Sequence, residues 1–325
     1  MTPPSCRLCG AWAWALCIVV SPLDAQKCAP DQETTWWPRS YLTTTTSSER
    51  AAMEPALAAA EALARKTAYK SPRGYAVRAS WSYGGELADK TSLHTYVFAP
   101  VLFWACSKYD EHGADLMIIF NPSPMAWSLS DRPLLDESGD GLYLERPRSQ
   151  PLHGSTSTFG HFEDDQTEGL RVLFTSGGES PTIPVTREAW LRAQIFTLEG
   201  KEQEKLKEAI ATTMQLYAND SIGREKTLAG LKALGDKRRA QIAAMTAEER
   251  ASPAWTNDFD LVPAGTPGAS TVVRRNPAFY RARRSPFEIR AILVQVGGAR
   301  EEMKAVNRQV YEEFDWDGLK KLLAP

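Results

Sequence analysis

What the sequence lacks narrows the possibilities first. It has no G-x-S-x-G, no H-E-x-x-H, no P-loop and no G-x-G-x-x-G. Nucleophile-elbow hydrolases, zincins, P-loop nucleotide binders and dinucleotide-binding folds therefore leave no signature here. A dispersed serine-histidine-acid arrangement would leave no local pattern, and nothing in the sequence points to one. Charge of one sign is also lacking: 38 Lys and Arg against 40 Asp and Glu give a formal net charge of -2. No general attraction to polyanions follows, and nucleic acid is not an expected partner. After the first 25 residues no apolar run approaches the roughly 20 residues that cross a bilayer, so no membrane span is expected in the mature chain. No repeat of fixed period is present.

What is present is a globular composition, 43% hydrophobic and 24% charged over 325 residues. A chain of this length can bury roughly 75% of its unfolded surface. Arg7 is the only early charge, an apolar run follows from Leu8 to Val20, and Pro22 and Ala25 end it. This is the pattern of a secretory signal peptide over residues 1–25, with cleavage near Ala25 and a secreted or periplasmic product. The alternative is an uncleaved N-terminal anchor or a misassigned start. Cleavage would remove Cys6, Cys9 and Cys17 and leave Cys28 and Cys106, an even pair in an oxidising compartment. Bridged, they would close a loop of about 78 residues, worth roughly 4.5 kcal/mol in the chain-entropy description. The alternative is two buried free thiols.

Residues 26–48 read as an irregular arm in which Trp36 and Trp37 pack the arm against the body or form an exposed patch. An alanine-rich helix is expected from a Ser48 N-cap to Lys66, with Met53, Leu57, Ala60 and Ala64 as its apolar stripe and Pro55 near its first turn. Strand patterns follow at Tyr75–Ser82, Leu93–Ala99, Val101–Ser107 and Asp115–Phe120, closely spaced as in an antiparallel meander. Weaker ones lie at Gly141–Glu145 and Ser157–Phe162. The stretch Leu170–Leu198 reads as a strand, a glycine turn and a helix capped by Thr186, with Glu188 placed to favour the helix dipole. Trp190, Leu191, Gln194, Ile195 and Leu198 form its inner face, and an apolar stripe continues through Leu206, Ile210, Met214 and Tyr217. A second helix fits Arg224–Met245, making a helical hairpin at about 186–250. Thr246 and Glu249 match a capping box. A short strand is expected at Thr271–Arg274 and a strong one at Glu288–Val296, which must return to the N-terminal sheet to satisfy its backbone. Helices at Arg300–Phe314 and Gly318–Leu323 end the chain.

Three segments carry candidate chemistry. His153, His161 and Glu163 lie in a polar stretch ending at Asp165 and could supply zinc ligands. On one extended strand the two histidines would stand about 26 Å apart, so a shared ion requires the chain to turn at Gly160. The alternative is an exposed hairpin with solvated acids. Asp136-Glu-Ser-Gly-Asp140-Gly matches the first half of a calcium loop, but Pro147 occupies the position of the bidentate glutamate. The alternative is a polar turn between strands. Arg274, Arg275, Arg281, Arg283 and Arg284 interleave with Phe279 and Tyr280 and could contact acidic glycan, lipid headgroups or a partner protein. The alternative is that they pair with the acidic helices.

Several short patches are similar to a loosely defined group of uncharacterised bacterial secreted proteins. They are PVTREAWL at Pro184–Leu191, ASPAW at Ala251–Trp255, NPAFY at Asn276–Tyr280, FEIRAILVQV at Phe287–Val296 and FDWDGLKKLL at Phe314–Leu323. The resemblance implies bacterial export and carries no activity, ligand or catalytic residue.

The expected fold is α+β: an antiparallel sheet packed by helices, with a long helical hairpin inserted before the last major strand. Residues 49–325 are expected to form a single domain. The expected function is binding of a partner protein or cell-envelope component through the hairpin and the arginine-rich segment. The competing function is a metal-dependent hydrolase built on His153–Asp165.

Overall fold

The computed structural model describes residues 33, 35–36, 40–43, 46–67, 74–83, 93–104, 112–129, 133–160, 169–177, 179–200, 221–257, 259–297 and 301–325. Within them the chain is mixed α/β, with seven helices and two sheets rather than the one sheet expected.

The first sheet contains β1 (Thr35–Trp36), β2 (Ser40–Thr43), β3 (Tyr75–Tyr83), β4 (Tyr96–Trp104), β5 (His112–Phe120), β8 (Arg148–Ser149), β9 (Ser157–Phe159), β10 (Leu170–Thr175) and β15 (Ala291–Gly297). β1 and β2 share one edge and both run parallel to β3, so the sheet is mixed rather than purely antiparallel. The N-terminal arm thus supplies an edge to the sheet. Trp36 packs against the core, with the Arg65 guanidinium 3.9 Å above its ring. The two strands expected on either side of Pro100 are one. β3 pairs with β4 without interruption, while β4–β5 pairing passes from Phe98 to Val101 and then shifts register. A missing proline N–H is tolerable where the ladder is already irregular.

β15 lies between β5 and β10, antiparallel to both, so the late strand does return to the N-terminal sheet. Both its faces are buried, as its near-continuous apolar sequence requires. Ile292, Val294 and Val296 join a core beneath α1 (Ser47–Lys66), α6 (Glu301–Glu313) and α7 (Trp316–Lys320). Ala291 and Leu293 face the opposite side, where Trp127, Phe279 and Tyr280 cover them. Those covering residues come from a 3-10 turn (Pro124–Trp127) and from α5 (Pro277–Tyr280).

α1 buries the expected stripe, but its cap is Thr46. Thr46 forms a reciprocal capping box with Glu49, which fixes the helix start ahead of Ser48. Pro55 sits two turns inside on the exposed side, where water can satisfy the carbonyl it leaves unbonded.

The second sheet is antiparallel and contains β6 (Leu134–Leu135), β7 (Gly141–Glu145), β11 (Thr182–Pro184), β12 (Trp255–Asn257), β13 (Asp260–Leu261) and β14 (Ser270–Arg275). β14 is central: β7 lies along one side, and β12 and β11 follow each other along the other. α2 (Arg187–Glu199) buries Trp190 and Ala193 against Leu142 and Val272 on one face of this sheet. Thr186 caps α2 by accepting from the Ala189 amide, as its sequence indicates. α2 packs against α3 (Ser221–Ala244), with Glu199 beside Gly235 and Arg239, and Arg192 near Ile242. The two helices therefore run in opposite directions. α4 (Ala247–Ala251) begins with the expected Thr246–Glu249 capping box. Among the described residues no helix is long and apolar enough to cross a membrane.

Candidate functional site

Residues paired across antiparallel strands share a face, and successive residues alternate. Leu142, Leu144 and Val272 therefore point toward α2, while Tyr143, Glu145, Thr271, Val273 and Arg275 point away. β11 adds Thr182 and Pro184 to that second face, and β12 adds Trp255. Here a cleft of about 580 Å³ opens, walled by Glu145, Thr182, Pro184, Trp255, Thr271 and Val273. The segment Arg146-Pro147-Arg148, Ser180 and the loop residues Gly265, Thr266, Gly268 and Ala269 form its rim. Its size suits a small ligand.

Glu145 is the buried charge of this cleft. Its Oε1 accepts from the Trp127 indole N–H and the Thr182 hydroxyl, both at 3.2 Å. Its Oε2 accepts from Arg148 Nε at 3.1 Å and Nη2 at 2.9 Å. The Glu145 side chain is 6% exposed and that of Arg148 51%. A buried carboxylate needs such partners to remain charged. The result is a half-exposed guanidinium fixed on a buried anchor.

A second hollow of about 400 Å³ lies among Glu137, Arg192, Ile195, Arg239, Ile242 and Ala243. Its cations are already engaged: Arg192 with Glu188, and Arg239 with Glu199 and Asp236.

The other candidate residues are dispersed. Asp136 Oδ1 accepts from the Ser138 amide at 2.9 Å, the Ser138 hydroxyl at 2.6 Å and the Asp140 amide at 2.9 Å. Burial alone would raise its pKa, but these hydrogen bonds, aided by the Arg274 charge, hold it below the usual value. The loop thus directs donors at Asp136 and closes the β6–β7 turn. His153 lies at φ 53°, with Nε2 2.7 Å from the Tyr311 hydroxyl and its ring stacked 4.5 Å from Trp316. Its backbone carbonyl accepts from Lys320 Nζ at 3.0 Å. Burial, and then the Lys320 charge, lower the His153 pKa, while burial pushes the Tyr311 phenol up to about 12. His153 therefore holds the C-terminal helices against the loop before β9. His161 and Glu163 lie outside the described residues, as do Cys28 and Cys106. Among the described residues, no three or more His, Cys, Asp or Glu side chains gather as they would around a metal ion.

The five arginines do not form one patch. Arg274 and Arg275 leave β14 on opposite faces, and Arg275 stacks 4.1 Å over Tyr280. Arg283 pairs with Glu179 at 2.7 Å, so its partner belongs to the turn before β11 rather than to an acidic helix. The backbone amides of Arg283 and Arg284 donate to Glu288. Arg281 is exposed after α5. A further arginine beside them, Arg290, is buried at 3% exposed and bonds Glu179 and the Phe279 carbonyl. On the hairpin, the apolar face of α2 is taken up by the second sheet, and residues Leu206 to Tyr217 lie outside the described set.

Glu145, Arg148 and Trp255 were not singled out by sequence. The signal for them was an acid closing an alternating strand and followed at once by Arg-Pro-Arg. Two of the partners that give it meaning, Trp127 and Thr182, are 18 and 37 residues away. Comparison with protein-family models, with curated proteins and with solved structures finds no match.

Proposed function

We propose that the protein is an exported binding protein that takes a polar fragment of the cell envelope into the cleft of its second sheet. The observation that carries this reading is the cleft itself: about 580 Å³, with an apolar wall at Trp255 and Pro184 and a fixed Glu145–Arg148 pair at its edge. Apolar walls with a few placed polar groups are the usual composition of a ligand site. The early Arg7, the apolar run and Ala25 support export. Thr271 stands opposite both Glu145 and Trp255 on the cleft face, so Thr271→Trp would fill the space.

The test is thermal unfolding of the mature protein with a panel of neutral and acidic oligosaccharides. A ligand at a hundred times its Kd stabilises the native state by about 2.7 kcal/mol. At least one member should raise the Tm of the wild type and leave Thr271→Trp unchanged. A panel without effect, or an equal rise in Thr271→Trp, would remove the cleft from consideration.

A further inference from the structure

Resting on the cleft reading above, we infer that its ligand is a carboxylated saccharide and that Arg148 is the residue that selects the carboxylate. Arg148 approaches Glu145 sideways: Nε and Nη2 both donate to Oε2. A guanidinium has a second pair of parallel donors at its Nη1/Nη2 edge, which matches a carboxylate. Among the described residues, Arg148 makes no other side-chain hydrogen bond, and its side chain is half exposed at the rim of the cleft. Glu145 keeps the fork in place without competing for the ligand, because each of its oxygens already accepts two hydrogen bonds.

Charge points the same way. Among the described residues Glu145 is the only acid lining the cleft. A cationic ligand would meet the Arg148 guanidinium and a carboxylate that is already occupied. The rest of the lining fits a sugar ring better than an extended peptide. Trp255 offers an apolar indole wall, and Thr266 and Thr271 bring hydroxyls to the same space. An aromatic surface packs against the C–H face of a pyranose, and hydroxyls exchange hydrogen bonds with its rim.

Glu145 is then a positioning residue, and Arg148 the group that touches the ligand. The experiment is isothermal titration of the full mature protein with trigalacturonate and with its methyl-esterified form, which has the same rings without the charge. The wild type should bind the acid at least tenfold more tightly than the ester. Arg148→Gln should bring the two affinities within about twofold, as the charge-assisted bonds are lost. Glu145→Gln, nearly isosteric, should weaken the acid selectively by releasing the fork, an effect that a purely structural role would not produce. The double variant Glu145→Gln/Arg148→Gln leaves no unpaired buried charge, so loss of discrimination there cannot be attributed to misfolding if its unfolding stays cooperative. Equal wild-type affinity for acid and ester, abolished by Thr271→Trp, would overturn the carboxylate assignment and leave the cleft standing. Binding unaffected by Thr271→Trp would overturn the cleft as well. Binding of neither form would refute the assignment to an acidic saccharide.

Discussion

Asn121 offers the sharpest test of how this fold is held. It follows the last residue of β5, adopts φ 48° and is fully buried. Its Nδ2 donates to the carbonyls of His94 at 3.1 Å and Glu288 at 2.8 Å, and its Oδ1 accepts from the amides of Arg290 at 2.9 Å and Ala291 at 3.2 Å. One side chain thus satisfies four backbone groups where β5, the chain before β4 and the chain entering β15 meet. Asn121→Ala strands all four. At about 1 kcal/mol net for each bond, plus about 1 kcal/mol for a left-handed alanine in place of asparagine, the loss comes to about 5 kcal/mol. Water entering the space left behind would return part of it, so a loss of at least about 3 kcal/mol is expected. The assay is urea unfolding with linear extrapolation, in which the midpoint should fall while the slope stays constant. Asn121→Asp adds an internal control. It keeps the shape but sets a carboxylate against two carbonyls, so its folded-state pKa must rise above the unfolded value of about 3.9. The stability of Asn121→Asp should then be fullest below that unfolded pKa and decline as pH rises through the folded one. A loss under 1 kcal/mol for Asn121→Ala, at unchanged slope, would refute the reasoning.

Two further outcomes concern the joints of the fold. The depressed His153 pKa means that the folded state favours neutral imidazole. Its contribution is present above the unfolded value of about 6.5 and lost as pH falls through the lower folded one; NMR titration should show a midpoint below 6.5, and His153→Ala should bring earlier unfolding of the C-terminal helices by hydrogen exchange. At Gly297 an added Cβ would stand 2.9 Å from the Gly169 Cα, backbone against backbone. Gly297→Ala should cost about 1–3 kcal/mol by urea unfolding, whereas Gly177→Ala, at φ 69° in open space, should cost only about 1 kcal/mol of backbone strain.

The legible parts of this fold were those in which a local pattern decides the outcome. Thr186 and the Thr246–Glu249 pair cap helices because a hydroxyl and a carboxylate reach free amides within one turn. The 291–297 strand declared itself because a strand with two buried faces is apolar at nearly every position. The second sheet was not legible, since β11, β12 and β13 have only two or three residues each and no room for a period to repeat. β11 and β12 pair with β14, which only the fold brings beside them, and β13 pairs with β12. The candidate site failed to declare itself for the same reason. Arg148 follows Glu145 closely, but Trp127, Thr182 and Trp255 reach that place from three other segments. Conversely, the arginines of 274–284 look like one surface because the expected strand stops at Arg274; with Arg275 also in β14, alternation turns the two to opposite faces, and only the fold brings Glu179 to Arg283.

The position of β15 also sets an order of events. The strand between β5 and β10 is synthesised more than a hundred residues after either of them. Until residues 291–297 emerge, β5 and β10 each present an open edge, and the halves of the first sheet have no common strand. A chain still being synthesised therefore cannot close its principal core until residues 291–297 have taken their place between β5 and β10.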